Sequence, residues 1–583
     1  MDTTIKPIIR KLDDNIKALQ AFQDELLESA EEKDRTVLLH FPTVYIHNWK
    51  GSEDYEVYIG ESNNIIQRTK QHYDHCGDAS KWQSKLKKHP SSLYVIGHEH
   101  FNKSLTLDIE NRLMLYLMSV DRVKKIHNLR GNPQNRYYPD SELDDIFRMM
   151  WKGLRKYDKD LFPKESAIKD SALFKASPLH KLTPDQESIK DVIIGRVMGA
   201  LESGKKNQII FIEGEAGTGK TVLNSSTFYE LYSKASEENQ DISCYMLVNH
   251  DEQITVYSQI AEKLGLTSKY GKVVCKPTSF INNHYPDDPV DVAFIDEAHL
   301  LLTQGKQSYQ GKNQLQDIID RARVTVVMFD ENQILTTEQY WESQILDQFR
   351  NQAKKTKNYF ELKNQLRIKA SKEVVQWIDG FTKDRQLSPI PSDLGGYEIR
   401  IFDTPSDLEI ALKEKAGDEK HKLSRLIATY DWDYKKSERR DARLGKYWEV
   451  LIGKWHKPWN YEFAQDFSQK EKKSIKTLSW AEQPQTIDEV GSTFTIQGFD
   501  LNYAGVILGP SVKYRNGKIV FDPSEKNYKK MIQNRTLSDG TKKKFGEELT
   551  QHEVRILMTR GVEGLYIYAC DDELREALKQ SAL

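Results

Sequence analysis

The run Gly214-Glu215-Ala216-Gly217-Thr218-Gly219-Lys220-Thr221 has the glycine spacing and the Lys-Thr ending of a loop that wraps a phosphate chain. Glycines at 214, 217 and 219 let backbone N–H groups turn inward on the anion. Lys220 then reaches the β- and γ-phosphates, and the Thr221 hydroxyl turns to Mg2+. A glycine-rich loop alone is an ordinary turn, so its flanks matter. Gln208-Ile209-Ile210-Phe211-Ile212 reads as a strand leading into it, and Val222-Leu223-Asn224 opens a helix after it. Downstream, the strand-like run Val292-Ala293-Phe294-Ile295 ends in Asp296-Glu297-Ala298-His299. One carboxylate there, Asp296, completes a magnesium site, and Glu297 can polarise an attacking water. Two such motifs, in this order and on strand ends, predict a machine driven by nucleotide hydrolysis.

These residues must be positioned by a chain of 583 residues, too long for one core, and two to four domains are expected. Hydrophobic residues make up 38% and charged residues 30%, a globular composition on the polar side. The net charge of -2 gives no support for wholesale electrostatic binding of nucleic acid, but it leaves room for local basic grooves. Four scattered cysteines form no CxxC pair, so neither a disulfide framework nor a zinc site is expected, and a reducing cytoplasm is the expected compartment. No apolar run approaches membrane-spanning length, and the charged N-terminus lacks a signal-peptide core.

Ile5 to Glu31 reads as an amphipathic helix, with Leu12, Ile16, Leu19, Phe22 and Leu26 at helical spacing. It is expected to pack, or to pair two copies of the chain. Mixed strand and helix signals follow from Val37 to about Tyr138, then a helix over Ser141 to Tyr157 and a polar linker with Pro163 and Pro178. From Leu182 onward strands and helices alternate, which predicts an α/β architecture with parallel sheets.

Further motifs lie in that second part. Gln186 follows Leu182-Thr183-Pro184-Asp185, where a side-chain amide can both donate to and accept from an adenine edge. The strand Val324 to Phe329 ends in Asp330-Glu331-Asn332-Gln333. Leu362-Lys363-Asn364-Gln365-Leu366-Arg367, Arg425 to Trp432, Thr493 to Asp500 and Val554-Arg555-Ile556-Leu557-Met558-Thr559-Arg560-Gly561 complete the series. In this order the segments resemble the motifs of superfamily-one helicases and translocases, most closely the helicase-like ATPases grouped with the motor half of Schlafen proteins. The resemblance implies two RecA-like lobes, 182–350 and 351–583, with ATP between them. Lys220, Thr221, Asp296 and Glu297 would belong to the first lobe. Arg367 and Arg560 would reach in from the second as charge-stabilising fingers. Gln333 would sense the γ-phosphate, and Thr495, Gln497 and Gly498 would contact a nucleic-acid strand. Trp448, Trp455, Trp459 and Trp480 suit either base stacking or a core.

Upstream, Thr43-Val44-Tyr45 and Tyr58-Ile59-Gly60 stand on two strand-like runs. Arg68 follows, with His72 one helical turn beyond it, then Glu110 on a helix, and Asn128. Residues 37–140 are similar to a GIY-YIG nuclease domain, between an N-terminal helix (1–36) and a helical linker (141–181). The resemblance implies phosphodiester hydrolysis. Tyr45 or Tyr58 would activate water, Arg68 would neutralise the scissile phosphate, His72 would stand beside it, and Glu110 would hold Mg2+ or Mn2+. Thr43 departs from the family, which has Gly there.

The expectation is an ATP-dependent translocase or helicase fused to a metal-dependent endonuclease, with DNA favoured over RNA and no membrane partner. Degradation of foreign DNA, as in bacterial anti-phage defence, is the role such a fusion implies. The rivals are a repair or branched-structure nuclease, an ATP-gated regulatory switch, and an RNA-directed enzyme.

Overall fold

A computed structural model describes the chain except residues 1–4, 29–30, 52–53, 78–81, 128–136, 138–139, 239, 306–308, 364–368, 393–394, 419, 436–444, 476–477, 497–498 and 583. Arg367, Gln497, Gly498 and Asn128 therefore lie outside the described residues. The chain divides into two units. Unit 1 takes Met1–Thr183 and Val256–Val273, and unit 2 takes Pro184–Thr255 and Val274–Leu583.

Unit 1 is a five-stranded sheet of β1 (Ile8–Asp13), β2 (Thr43–Lys50), β3 (Tyr55–Ser62), β4 (Ser91–Gly97) and β5 (Val123–Ile126), in the order β1-β4-β2-β3-β5. Only the β3–β5 pair is parallel. Alternation along β2 and β3 separates two apolar faces. Val44, Ile46, Val57 and Ile59 meet α4 (Lys103–Met118) and α5 (Leu143–Tyr157) on one face. Tyr45 and Tyr58 meet α1 (Ile16–Glu28), α2 (Glu32–His40) and α3 (Ile65–Asp74) on the other.

Two expectations for this half are corrected. The first part of the segment read as one helix over Ile5–Glu31 is strand β1, because pairing with β4 from Ile8↔Gly97 to Asp13↔Ser92 satisfies its backbone. The helix starts after Asn15, whose side chain accepts from Ala18 N at 2.9 Å. Leu19, Phe22 and Leu26 of α1 are buried against the sheet, while Ile16 and Leu27 on the same helix are exposed. Residues 141–181, expected as a linker, are core. Phe147, Met150, Trp151, Leu161, Phe162 and Ile168 pack with Tyr94 and Met114, and Trp151 Nε1 donates to Pro163 O at 2.9 Å. The amphipathic face of α5 needed a partner and found the sheet.

The unit boundary falls at Thr183/Pro184, next to the expected 182, but Val256–Val273 returns to unit 1. Lys263, buried in unit 1, donates to Met118 O and Val120 O at 2.7 and 2.8 Å, capping the carbonyl end of α4. Burial lowers its ammonium to about 8.

Unit 2 holds two parallel sheets, the RecA-like lobes. Lobe 1 contains β6 (Gln208–Gly214), β7 (Cys244–Leu247), β8 (Val274–Cys275), β9 (Val290–Ile295), β10 (Ala322–Phe329) and β11 (Tyr359–Leu362), in the order β11-β6-β10-β9-β7-β8. Because β11 pairs with β6, lobe 1 runs past residue 350. Lobe 2 contains β12 (Glu398–Ile401), β13 (Arg425–Ala428), β14 (Val490–Gly491), β15 (Leu501–Leu508) and β16 (Gly561–Ala569), in the order β12-β16-β15-β13-β14. Nearly continuous apolar runs such as Ile209–Ile212 and Val506–Leu508 suit strands covered on both faces. Trp459 and Trp480 are fully buried, so they serve the core and cannot stack on bases. Among the described residues, no helix is long and apolar enough to cross a membrane.

Candidate active sites

In lobe 1, β10 lies between β6 and β9, so three adjacent strand ends deliver the functional residues to one edge of the sheet. β6 runs into the glycine-rich loop, whose Gly217 and Gly219 adopt φ of 86° and 82°, a region costly for other residues. A Cβ at Gly214 would come within 2.5 Å of Thr218 Oγ1. α6 (Lys220–Glu237) follows directly, with Thr221 in its first turn. Lys220 is buried, and its Nζ donates to Gly214 O at 2.6 Å, to Glu215 O at 2.9 Å and to Asp330 Oδ2 at 3.4 Å. Gln186, also buried, donates through Nε2 to Thr218 O at 3.1 Å and so braces the loop.

β9 ends in buried Asp296 and Glu297. Glu297 sits in the left-handed region at φ 50°, an uncommon backbone state for glutamate that concentrates at functional sites. Its Oε2 accepts no hydrogen bond among the described residues and lies 3.5 Å from His299 Nε2. Burial pushes the Glu297 carboxyl up, but His299, Lys220 and Arg560 pull it further down, below the ordinary range. A carboxylate held ionised with a free lone pair is what water activation needs.

β10 ends in Asp330, which sequence reading left without a role although it occupies a strand end like Asp296. Asp330 Oδ2 accepts from Gln333 Nε2 at 2.7 Å, and Gln333 Oε1 accepts from Arg560 Nη2 at 3.2 Å. Arg560, fully buried, follows α7 (Gly546–Met558) and anchors to Phe499 O through Nη1 at 3.2 Å. Lys220, Asp330, Gln333 and Arg560 thus form one chain of contacts from the phosphate loop to lobe 2.

The residues fit a nucleoside triphosphate. The loop offers glycine-built curvature and a buried cation, and Arg560 stands at the far end of the chain. Thr221 and Asp296 are the oxygen donors that would suit Mg2+ alongside phosphate oxygens. Among the described residues no group of three or more His, Cys, Asp or Glu is arranged to hold a metal ion by itself.

In unit 1, Tyr45 lies directly across the β2–β3 ladder from Gly60, and His47 across from Tyr58. A Cβ at Gly60 would meet Tyr45 Cζ and Oη at 2.5 Å, so only glycine lets the phenol cross the neighbouring strand. The Tyr45 hydroxyl is 2.9 Å from His72 Nε2 on α3, and the Tyr45 and Tyr58 rings stack with centroids 6.2 Å apart. Arg68 faces both hydroxyls, chiefly that of Tyr45, which raises its guanidinium pKa. Burial, then the nearby His47 and Arg68, depresses His72 to about 3, leaving it neutral. Burial, with Tyr58, raises the Tyr45 phenol against the pull of Arg68.

Sequence reading missed His47. Its Nδ1 pairs with Asp14 Oδ2 at 2.7 Å, and its ring packs edge-on to His72. Alternation along β2 was the available signal. Thr43 needs no special backbone: it is buried and donates to Ser62 O at 3.3 Å. Glu110 is buried on α4, whose Leu105, Ile109 and Leu113 pack on the opposite face of the sheet.

Unit 2 is therefore a helicase-type NTPase: two RecA-like lobes with a phosphate loop, paired acidic residues and an arginine from the second lobe. A family model described as the Schlafen group 3 DNA/RNA helicase domain matches residues 207–571, and the chain belongs to that family. The uncharacterized protein YPL245W of Saccharomyces cerevisiae is 32% identical over 437 residues, covering 68% of this chain and 90% of that protein. Among solved structures, one of Pif1 helicases unwinding forked double-stranded DNA covers 67% of this chain and 92% of its own, with 9% identity and a TM-score of 0.27. A DEAD box protein from Methanococcus jannaschii covers 64% and 85%, with 13% identity and a TM-score of 0.22. Both superpositions are too loose to define the fold, which the sheet order above defines.

Proposed function

We propose that the chain is an ATP-dependent nucleic-acid translocase or helicase joined to a metal-dependent endonuclease that cleaves DNA. The contact chain Lys220–Asp330–Gln333–Arg560 carries the motor half of this reading. It ties the lysine that would meet the phosphates to the lobe that must move when they are lost. ATP supplies the free energy, and Mg2+ screens its phosphate charge. Glu297 orients the attacking water, and Arg560 stabilises charge on the transferred group.

The nuclease half is supported by Tyr45, Tyr58, His72 and Arg68 meeting on one face. With the His72 proton on Nδ1, the Tyr45 phenol donates to Nε2, so Tyr45 would pass its own proton to His72 as it takes one from the attacking water. Arg68 faces the scissile phosphate, and Glu110 is assigned to a divalent cation, Mg2+ or Mn2+. Clearance of foreign DNA, as in anti-phage defence, is the role proposed. A second reading is action on RNA, which the family description names alongside DNA.

The test is cleavage of plasmid, phage genomic DNA and RNA, each with and without ATP and Mg2+, alongside phosphate release. ATP-stimulated cutting of long DNA supports the reading. Cutting confined to RNA moves it to the second. Phosphate release with no cleavage of any substrate overturns the nuclease half.

A further inference from the structure

α7 carries a second arginine upstream of Arg560, and the reading above gives it no role. Arg555 is 5% exposed. Its Nε donates to Asp379 Oδ1 at 3.0 Å, and its Nη2 donates to Glu215 Oε2 at 2.6 Å. Glu215 is the second residue of the phosphate loop. Its other oxygen, Oε1, accepts from Lys383 Nζ at 2.7 Å. Its backbone oxygen accepts from Lys220 Nζ and from Thr218 Oγ1, each at 2.9 Å. One loop residue thus faces the loop lysine through its main chain and two lobe-2 cations through its side chain.

Exposed ion pairs contribute little, but this guanidinium is buried. Asp379, on the helix Lys372–Thr382 of the same lobe, already neutralises it and fixes its Nε edge. The same Asp379 oxygen also lies 2.9 Å from Nη2, the nitrogen that turns to the loop, and so aims it at Glu215. A planar guanidinium fork recognises carboxylate and phosphate by the same geometry. The Glu215 side chain is 44% exposed, so water can take it over when another anion takes the arginine. The charge of Arg555 also reaches Asp330, the partner of Lys220, and helps hold that carboxyl below its usual range against burial.

We propose that Arg555 engages the phosphates of a nucleotide in the loop, aimed by Asp379 as a positioning residue. Glu215 is an internal competitor for the same guanidinium and sets how tightly a triphosphate is held. The inference rests on the ATPase reading of unit 2.

The test is equilibrium binding of fluorescent ADP and of a non-hydrolysable ATP analogue to the full chain, with steady-state hydrolysis and thermal melting in parallel. Arg555→Ala should weaken the ATP analogue by about tenfold or more, and ADP by less. It should also lower kcat by roughly 10²-fold. Arg555→Lys should not restore either, because a point charge lacks the fork. Asp379→Asn should fall between wild type and Arg555→Ala. Glu215→Gln, close to isosteric, should tighten the ATP analogue several-fold, roughly the strength of one charge-assisted hydrogen bond. Adding Arg555→Ala should erase that gain. Wild-type affinities in Arg555→Ala, or an ATP analogue no tighter in Glu215→Gln, overturn the inference alone. A wild-type chain that binds no nucleotide overturns the ATPase reading and the inference with it. If Arg555→Ala melts early, the Glu215→Gln and Asp379→Asn results still decide.

Discussion

In unit 2 the reactive groups are full charges, each held by an opposite one: Lys220 by Asp330, Arg555 by Glu215 and Asp379, and Glu297 by surrounding cations. In unit 1 they are rings. His72 is neutral because burial depresses its pKa, and Tyr45 stays protonated because burial raises its own. Charged groups must be ready before phosphates arrive, since a low-dielectric site without counterions would expel them. Neutral rings need no counterion, only a hydrogen-bond partner such as Tyr45 and His72 give each other, and in the proposed nuclease they would relay a proton. The lesson is that burial costs the motor site counterions and gives the ring site its protonation states.

Paired substitutions test that contrast most strongly. Lys220→Ala should abolish ATP hydrolysis, measured as phosphate release, and leave cleavage of a short oligonucleotide intact. Arg68→Ala and Glu110→Ala should do the reverse. Loss of both activities in any one of them would show that the sites are not independent.

Next in size is Arg560→Ala, with kcat expected down about 10³-fold and the KM for ATP changed little, as for an arginine acting on the transition state. Preserved kcat with weakened affinity would make Arg560 a binding residue only. Glu297→Gln should still bind the ATP analogue while hydrolysis stalls.

Gly60→Ala sharpens the ring side. Its Cβ cannot coexist with the Tyr45 ring as placed, so stability should fall by about 1–3 kcal/mol and cleavage should drop, with ATPase unchanged. Chemical denaturation followed by tyrosine fluorescence would report it, and an unperturbed variant would mean that the ring is not pinned there.

The smallest effect is on pH. The folded pKa of His72, about 3, lies below its ordinary 6.5, so the unfolded chain binds the extra proton between those values. The stability of unit 1 should therefore fall as pH drops from about 6.5 toward 3. His72→Gln should flatten that slope, read by hydrogen exchange of the β2 amides at several pH values. An unchanged slope would place the acid sensitivity elsewhere.

The sequence by itself determined the motor loop, the acidic strand end and the alternation that builds parallel sheets, because each is set by residues adjacent in the chain. Tyr45, Tyr58, Arg68 and His72 were marked only by the resemblance to a GIY-YIG domain, since each alone reads as an ordinary strand or helix residue. Only the tertiary structure decided which groups meet. Ile8–Asp13 is a strand because β4 offers it partners, a contact remote in sequence. Trp459 and Trp480 face the core and not solvent. Asp330 meets Lys220 because β10 lies beside β6 in the lobe 1 sheet, and Arg555 reaches Glu215 only because α7 of lobe 2 packs against the phosphate loop of lobe 1. Local propensity and glycine geometry are written in short runs of residues. Ion pairing and burial depend on distances between segments far apart in the chain, and those exist only once the sheets have formed.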